Sequence, residues 1–405
     1  MESQRENEWP WTLNVPSLVA DGWYPLPFRE FVVKIHSRSP LSSDYSYMYE
    51  MAGQSWRTPP VRMAFEVAKQ TAMRIGEHVR VHELKSIMLI VHGGEPLLAG
   101  RELIAHLINE TRSAVGSDVT VDAIIQTNAI SLDDSYLELF QELGVRVGVS
   151  LDRNTQNYGA HRRFLNGRGG DVAISAGLRR LLQPRFRHLF SGLLCTVDLY
   201  QDPIETYDSL ADFEPPRVDF LLPYGTWEAP PPGRLPGVSD SPYADWLIAV
   251  FEHWYPAPRV GIRIFEAVMK ILLGMISNTE GLGLAPARVV VIEPDGKIAQ
   301  VDILDTAYHG ELATGLNVST DPLDRALLLP GLVGRQLGAG ALCDECKKCP
   351  IKRVCGGGLY SHRYRAGTGF ANPSVYCPDL TRLIDHIRKK MVTDINRKLG
   401  NSGAG

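Results

Sequence analysis

The chain has 405 residues, of which 44% are hydrophobic, and its formal net charge is −4. This length suits two or three domains, and the slight acidity argues against a nucleic-acid partner held by phosphate contacts. No apolar run reaches the roughly 20 residues that span a bilayer, and the polar N-terminus lacks the apolar core of a secretory signal. These features predict a cytoplasmic protein with no nucleic-acid or membrane partner.

Strand and helix patterns alternate through the first half of the chain. Apolar, β-branched runs predict strands over 31–35, 86–92, 119–125, 145–149, 190–200 and 218–222. Amphipathic spacing predicts helices over 60–78, 101–115, 134–143 and 171–182. This order predicts right-handed βα units and a parallel sheet. Polar clusters follow several of the strands, and in barrel-type α/β folds that edge carries the site.

The second half begins with a proline-rich segment, 223–236, which reads as a loop or domain boundary. Helices are predicted over 242–254 and 265–277, and then a hairpin whose strands are 289–292 and 297–301. We expect this hairpin to open a smaller C-terminal domain. The predicted divisions are an N-terminal extension 1–27, a barrel 28–235, a helical bridge 236–285 and a cysteine-bearing domain 286–405.

Three serines follow the first predicted strand at the spacing S-x3-S-x2-S, namely Ser39, Ser43 and Ser46. With cysteine at these positions, one loop could bind three irons of a [4Fe-4S] cluster and leave the fourth iron open. A serine hydroxyl is a much poorer ligand than a thiolate. As written, the loop should not hold a cluster, and an ordinary serine-rich turn also fits the segment.

Five of the six cysteines lie within 343–377, and this clustering in a large cytosolic protein favours metal binding over disulfides. The pattern Cys346-x2-Cys349-x5-Cys355, with Cys377 downstream, can surround one metal centre. The glycines at 356–358 permit a tight backbone turn beside it. Four thiolates also suit a structural zinc ion, so both interpretations stay open here.

The serine loop, Gly93-Gly94-Glu95-Pro96 after the second strand and the cysteine pattern together resemble the radical SAM/SPASM enzymes. Segments 220–223, 231–233, 277–284, 357–364 and 369–377 are similar to the FxsB family of this group, and the likeness covers about 28–391. The resemblance implies an α/β fold, a partial (β/α)6 TIM-like barrel (the radical SAM fold) with a C-terminal SPASM-type cysteine-rich domain.

The resemblance also implies roles for residues at the strand ends. Glu95 would receive the amino group of S-adenosyl-L-methionine (SAM), and Ser150 and Asp152 would meet its ribose. The residues expected to bind SAM are Gly93, Gly94, Glu95, Thr127, Asn128, Ser150, Asp152 and Tyr47. Each could instead cap a strand or form a turn.

The residues expected to ligate one auxiliary [4Fe-4S] cluster, by the same resemblance, are Cys346, Cys349, Cys355 and Cys377. A second auxiliary cluster is not expected, because Leu359 stands where the family has another cysteine. Cys343 is interpreted as an ordinary thiol near the site, with an exchangeable ligand as the alternative. Cys195 is interpreted as a small buried apolar residue.

The implied function is a maturase of a ribosomally made precursor peptide. It would use SAM and an external electron donor to abstract a side-chain hydrogen and form a cyclophane-type crosslink. The radical SAM cluster is expected only if the parent protein has cysteine at 39, 43 and 46, so the printed form is predicted to be inactive.

The change of all three positions to serine is typical of a deliberate Cys→Ser knockout. The alternative is a natural cluster-less pseudoenzyme that binds peptide or SAM. An ordinary (β/α) hydrolase is disfavoured because no nucleophile–base pair stands at a strand end. Since about 28 residues precede the first strand, we expect the main body to recognise the precursor, near Trp227 and Trp254.

Overall fold

The structure is a computed structural model. It describes residues 8–39, 41–43, 60–151, 162–164, 171–234, 240–277, 279–300 and 313–402. For 41–43, 162–164, 171, 313 and 399–402 it describes the backbone alone.

The strands of the described chain are β1 (Glu30–His36), β2 (Leu41–Ser43), β3 (Ser86–Gly93), β4 (Thr120–Thr127), β5 (Val145–Ser150), β6 (Arg162–Phe164), β7 (Phe190–Thr196), β8 (Arg217–Leu221), β9 (Gly261–Ile262), β10 (Val289–Ile292), β11 (Lys297–Ala299) and β12 (Ala313–Asn317). Ten of them form one sheet in the order β12-β11-β10-β1-β3-β4-β5-β7-β8-β9. Neighbours from β10 to β9 run parallel, whereas β11 and β12 are antiparallel. The short strands β2 and β6 pair separately.

The α-helices are α1 (Val15–Ala20), α2 (Phe65–Val81), α3 (Arg101–Val115), α4 (Asp134–Glu142), α5 (Asp171–Leu181), α6 (Pro203–Ala211), α7 (Pro242–Trp254), α8 (Arg263–Leu272), α9 (Pro330–Gly334), α10 (Asp344–Lys348), α11 (Lys352–Cys355) and α12 (Cys377–Ser402). Helices α2 to α6 alternate with the parallel strands β1, β3, β4, β5, β7 and β8. This arrangement confirms the predicted fold class, a partial (β/α)6 barrel followed by a cysteine-containing region.

Helix α3 has the bounds that its sequence predicts, because glycines with positive φ precede and follow it. Gly100 has a φ of 84° and Gly116 a φ of 87°. The Gly116 N–H donates to the Arg112 carbonyl at 3.1 Å and so ends the helix. The buried side of α3 belongs to the main core, and the helix packs against α2.

Three predicted boundaries were wrong for local reasons. Residues 60–63 precede α2 and pair with the end of β1, where the Met63 N–H donates to the Ile35 carbonyl at 2.9 Å. Strand β7 stops before its predicted end because Asp198 accepts the Tyr200 N–H at 3.0 Å in a turn. Helix α8 ends at Leu272, before its predicted end, and Gly274 just beyond it has a φ of 81°, which no helix continues.

The predicted hairpin continues the barrel sheet. Strand β10 pairs in parallel with β1, with Phe31 opposite Val290, and Lys34 forms an ion pair with Glu293 at 2.7 Å. The first strand of the barrel is therefore flanked by β3 on one side and by β10 on the other. Among the described helices, none combines the length and the apolar character needed to cross a bilayer.

Candidate functional site

The carboxyl ends of β1 and β3 approach each other closely at Gly93 and Gly94. The Gly94 N–H donates to the His36 carbonyl at 2.8 Å. Gly93 has a φ of +141°, and a Cβ there would lie 2.3 Å from the same carbonyl oxygen. Only glycine fits this approach. The Gly-Gly pair therefore brings the end of β3 against β1 at the edge where the predicted site residues stand.

Glu95 lies directly beyond this pair and is 1% exposed. Its Oε1 accepts hydrogen bonds from the Leu97 N–H at 3.1 Å and the Thr127 hydroxyl at 2.7 Å. Its Oε2 accepts the Asn128 N–H at 2.9 Å. A buried carboxylate requires such partners. The side chain of Glu95 thus joins the end of β3 to the end of β4.

Ser150 extends the polar edge to β5. Its hydroxyl accepts a hydrogen bond from Gln126 Nε2 at 2.8 Å. Gly148 makes this contact possible, since a Cβ there would lie 2.2 Å from Gln126 Oε1. The structure therefore brings the predicted residues of β3, β4 and β5 to one edge of the sheet.

The remaining predicted residues of this edge lie at or beyond the limits of the described chain. Ser39 is half-buried just past β1, and the backbone of Ser43 belongs to β2. Ser46, Tyr47 and Asp152 lie outside the described residues. Their predicted roles therefore stay predictions.

Four cysteines line one small pocket in the C-terminal region. Cys346, Cys349, Cys355 and Cys377 contribute to its wall. They come from α10, the residue after it, the end of α11 and the start of α12. Cys343 is the N-cap of α10 and lies near Cys346. Sequence positions 31 residues apart thus meet around one space.

The spacing of these sulfurs bears on which metal group fits. Among the described residues, no three cysteine sulfurs lie within 4.8 Å of one another. A tetrahedral zinc ion with Zn–S bonds of about 2.3 Å would place its sulfurs about 3.8 Å apart. A [4Fe-4S] cluster separates its ligands more widely, because each thiolate binds a different iron. The donor set fits a cluster better than it fits one zinc ion.

A buried cation supports the backbone beside this pocket. Arg363 donates to the carbonyls of Gly356 at 2.6 Å, Gly357 at 3.0 Å and Gly358 at 2.8 Å. These glycines have φ values of 61°, 82° and 70°, so the turn excludes other residues. The guanidinium is near Cys355, and its positive charge suits an anionic thiolate-ligated group.

The thiols themselves are poorly prepared to ionise without a metal. Burial raises the pKa of Cys346 to about 12, with further contributions from its hydrogen bond to Cys343 and from nearby thiols. Burial also raises the pKa of Cys355 to about 11 and raises the pKa of Cys377. Since the thiolate is the ligand, a bound metal group must supply the positive charge that stabilises it.

No protein-family model matches the chain. It is 24% identical over 355 residues to a serine-type anaerobic sulfatase-maturating enzyme of Klebsiella aerogenes, covering 86% of this chain and 84% of that one. It matches the structure of native anSMEcpe with bound AdoMet (SAM) at a TM-score of 0.73 and 20% identity, over 91% of this chain and 99% of that one. The chain has the radical SAM/SPASM fold.

A more distant structural match is a protein with a precursor peptide bound. This is Streptococcus suis SuiB bound to the precursor peptide SuiA, at a TM-score of 0.57 and 12% identity over 89% of this chain and 78% of that one. In this chain, the polar strand ends belong to the barrel. The four-cysteine pocket belongs to the C-terminal region.

Sequence reasoning missed Arg363 and misplaced one tryptophan. Arg363 lies in segment 357–364, which contributes to the family resemblance. A single arginine in a sequence, however, does not indicate that its side chain is buried. Trp254 was expected on a recognition surface, yet it is 4% exposed and its indole N–H donates to the Val260 carbonyl at 2.7 Å. That expectation was wrong because the apolar face of α7 carries Trp254 into the core. Trp227 is 40% exposed.

Proposed function

We propose that the cysteine-bearing form of this chain is a radical SAM/SPASM maturase of a ribosomally made peptide. It would abstract a side-chain hydrogen and form an intrapeptide crosslink, with a cyclophane as the favoured product. One observation carries the proposal: a polar edge at β3–β5 and a four-thiol pocket occur together in a chain that matches anSMEcpe over 91% of its length. The names of the similar proteins, a sulfatase-maturating enzyme and SuiB with SuiA, support a polypeptide substrate.

SAM would bind across the ends of β3, β4 and β5. In this proposal Gly93, Gly94 and Glu95 face its amino group, and Ser150 and Asp152 face its ribose. When bound at a reduced [4Fe-4S] cluster, SAM supplies a 5′-deoxyadenosyl radical that removes a hydrogen atom from carbon. The buried edge around Glu95 would limit water and other C–H bonds near the reacting atoms.

Glu95 would position its neighbours as well as bind. Its carboxylate accepts the Thr127 hydroxyl and the Asn128 N–H, so it holds two further predicted pocket residues at the β4 end. Charge-assisted hydrogen bonds of this kind are stronger than neutral ones. The ends of β3 and β4 would therefore keep their relative position when SAM binds.

Ser39, Ser43 and Ser46 do not fit the radical SAM cluster, because hydroxyls replace all three thiolates. We therefore propose that this serine-bearing form does not cleave SAM reductively. The cysteine-bearing parent would take one electron from an external donor for each cleavage.

The four-thiol pocket would serve the second half of the reaction. After hydrogen abstraction, ring closure removes one more electron and one proton from the peptide. Cys346, Cys349, Cys355 and Cys377 would hold one auxiliary [4Fe-4S] cluster, which is a suitable acceptor for that electron. The buried Arg363 beside Cys355 would stabilise its negative charge.

A second candidate function is a natural cluster-less pseudoenzyme that binds peptide or SAM without radical chemistry. The serine triplet favours it, since the chain retains the polar edge at β3–β5 although the three ligand positions carry hydroxyls. This candidate and the maturase differ in what restored cysteines should do.

The test is the triple substitution S39C/S43C/S46C, reconstituted anaerobically with iron and sulfide and incubated with SAM and dithionite. We expect 5′-deoxyadenosine by chromatography and, with the precursor peptide, a product lighter by two hydrogen atoms. The matched control is S39C/S42C/S46C, which has as many new thiols at the wrong spacing and should make neither. A restored variant that carries its second cluster by Mössbauer spectroscopy but makes no 5′-deoxyadenosine would contradict the maturase proposal.

A further inference from the structure

Two histidines and an aspartate meet on the outside of the barrel, away from the edge described above. His78 lies on α2 and His82 follows its last turn, so their side chains share one face of the helix. Asp324 lies in the 3₁₀ turn Leu323–Leu328 of the C-terminal region. One ligand atom from each residue lies within 4.8 Å of the other two.

The hydrogen-bond partners of His78 define where its proton is. Its Nε2 lies 3.2 Å from the Phe28 carbonyl oxygen, which can only accept, so Nε2 carries the hydrogen. Its Nδ1 contacts Asp324 Oδ1, another acceptor. With the hydrogen on Nε2, the lone pair of Nδ1 faces a carboxylate oxygen, and a cation bound by both atoms would make this arrangement favourable.

The same carboxylate oxygen faces a second imidazole. His82 Nε2 lies 3.2 Å from Asp324 Oδ1. Burial raises the pKa of Asp324, but hydrogen bonds and charge interactions with His78 and His82 lower it below its ordinary value. Three potential donors, one of them anionic, thus converge on one point.

We propose that His78 Nδ1, His82 Nε2 and a carboxylate oxygen of Asp324 bind a divalent transition-metal ion of the zinc class. Imidazole nitrogen and carboxylate oxygen are suitable donors for zinc. The contact from the His78 Nε2–H to the Phe28 carbonyl is the outer contact that metal-bound histidines usually make, and it fixes the ring orientation.

Exposure differs among the three side chains in a way that suits ion entry. The exposed fractions are 1% for His78, 24% for His82 and 34% for Asp324. Zinc bonds of about 2.0–2.1 Å place two ligands of one ion about 3.3 Å apart. The partly exposed Asp324 can move outward to that separation, and water can complete the tetrahedron.

The position of this site indicates a structural role. Phe28 precedes β1 at its amino end, so the site lies opposite the carboxyl edge with the SAM-facing residues. The ion would join α2 of the barrel to the turn after β12. Because it binds the folded chain and not the unfolded one, it should raise the melting temperature.

The first experiment uses the full chain with its [4Fe-4S] cluster reconstituted, equilibrated with Zn²⁺ and then dialysed against a metal buffer. We expect about one zinc per chain, a melting temperature several degrees higher, and an X-ray absorption shell of nitrogen and oxygen at about 2.0–2.1 Å. No bound zinc would overturn the proposal, and so would a sulfur shell at about 2.3 Å, which would place zinc at the cysteines.

The second experiment compares H82Q and D324N with H253Q. His253 Nε2 lies 3.1 Å from Asp208, so H253Q removes a similar imidazole–carboxylate contact elsewhere on the surface. We expect zinc affinity to fall in H82Q and D324N by more than the about 10–100-fold that loss of an outer contact costs, with no change in H253Q. Equal zinc affinity in all three variants would overturn the proposal, leaving His78 and Asp324 as a simple ion pair.

Discussion

The barrel edge and the cysteine pocket differ in which of the expected residues they carry. At the barrel edge, Glu95 and its partners are buried and hydrogen-bonded, while the three positions at cluster-loop spacing carry serine. In the pocket, all four thiols are present and Arg363 supports the adjoining turn. The hydrogen bonds of Glu95 do not involve the serine positions, so the two sets of residues can be changed separately.

The barrel edge and the cysteine pocket are also stabilised in different ways. The barrel edge is held by bonds between strand ends, which do not require a cofactor. The pocket wall comes from short helices, α10 and α11, of five and four residues. Helices this short have little stability of their own, so a bound cluster should contribute more to order there.

The largest expected effect is a change in iron content when cysteine is restored at 39, 43 and 46. Iron and acid-labile sulfide would be measured after anaerobic reconstitution. The printed chain should bind about four irons, and S39C/S43C/S46C should bind about eight, because each [4Fe-4S] cluster contributes four. Eight irons in the printed chain would contradict the contrast between the two regions.

Loss of one pocket ligand should reduce the iron bound by the printed chain from about four to near zero. Cys355→Ser is the best choice, since Cys355 is the most deeply buried ligand of the pocket. Cys195→Ser is the matched control, because Cys195 is a buried cysteine of β7 and does not line the four-cysteine pocket. Equal iron loss in both variants would show that the assignment of ligands is wrong.

A smaller effect is expected from Arg363→Met. This change leaves the carbonyls of three buried glycines without their donor, and each such group costs about 1–3 kcal/mol. The free energy of unfolding in urea should fall by at least about 3 kcal/mol. Arg365→Met is the control, because exposed Arg365 lies over the Trp227 ring and surface changes usually stay within about 0.5 kcal/mol. Similar losses in both variants would refute the supporting role of Arg363.

The smallest effect is expected from Glu95→Gln. The amide keeps the shape of the side chain but turns an N–H₂ group toward one of the donors that Glu95 now accepts, at a cost of about 1–3 kcal/mol. When Glu95→Gln is added to S39C/S43C/S46C, isothermal titration should also show weaker SAM binding than in S39C/S43C/S46C alone. Glu110→Gln on α3 is the control, and equal SAM affinity in both would mean that Glu95 does not face the ligand.

Local sequence patterns were enough to predict the strands and helices of the barrel. They did not predict the contacts between the barrel and the C-terminal region. The helices over 101–115 and 242–254 were predicted correctly because glycine or proline stands at their ends. Strand β12 was missed, and so was the pairing of β10 with β1, because neither leaves a mark in nearby residues. The cysteine pocket followed from short spacing, whereas His78 and Asp324 are 246 residues apart and no local pattern connects them.

The parallel pairing of β1 with β10 also sets an order of events during synthesis. Lys34 and Glu293, which join these strands, are 259 residues apart. Strand β1 leaves the ribosome before β10, so one of its edges waits until the residues between them have been made. Until β10 arrives, that edge carries unpaired backbone groups beside the apolar side chains of Phe31 and Val33, and can pair with another nascent chain. Polypeptides that end after α7 but before residue 289 should therefore aggregate even though they contain all six βα units.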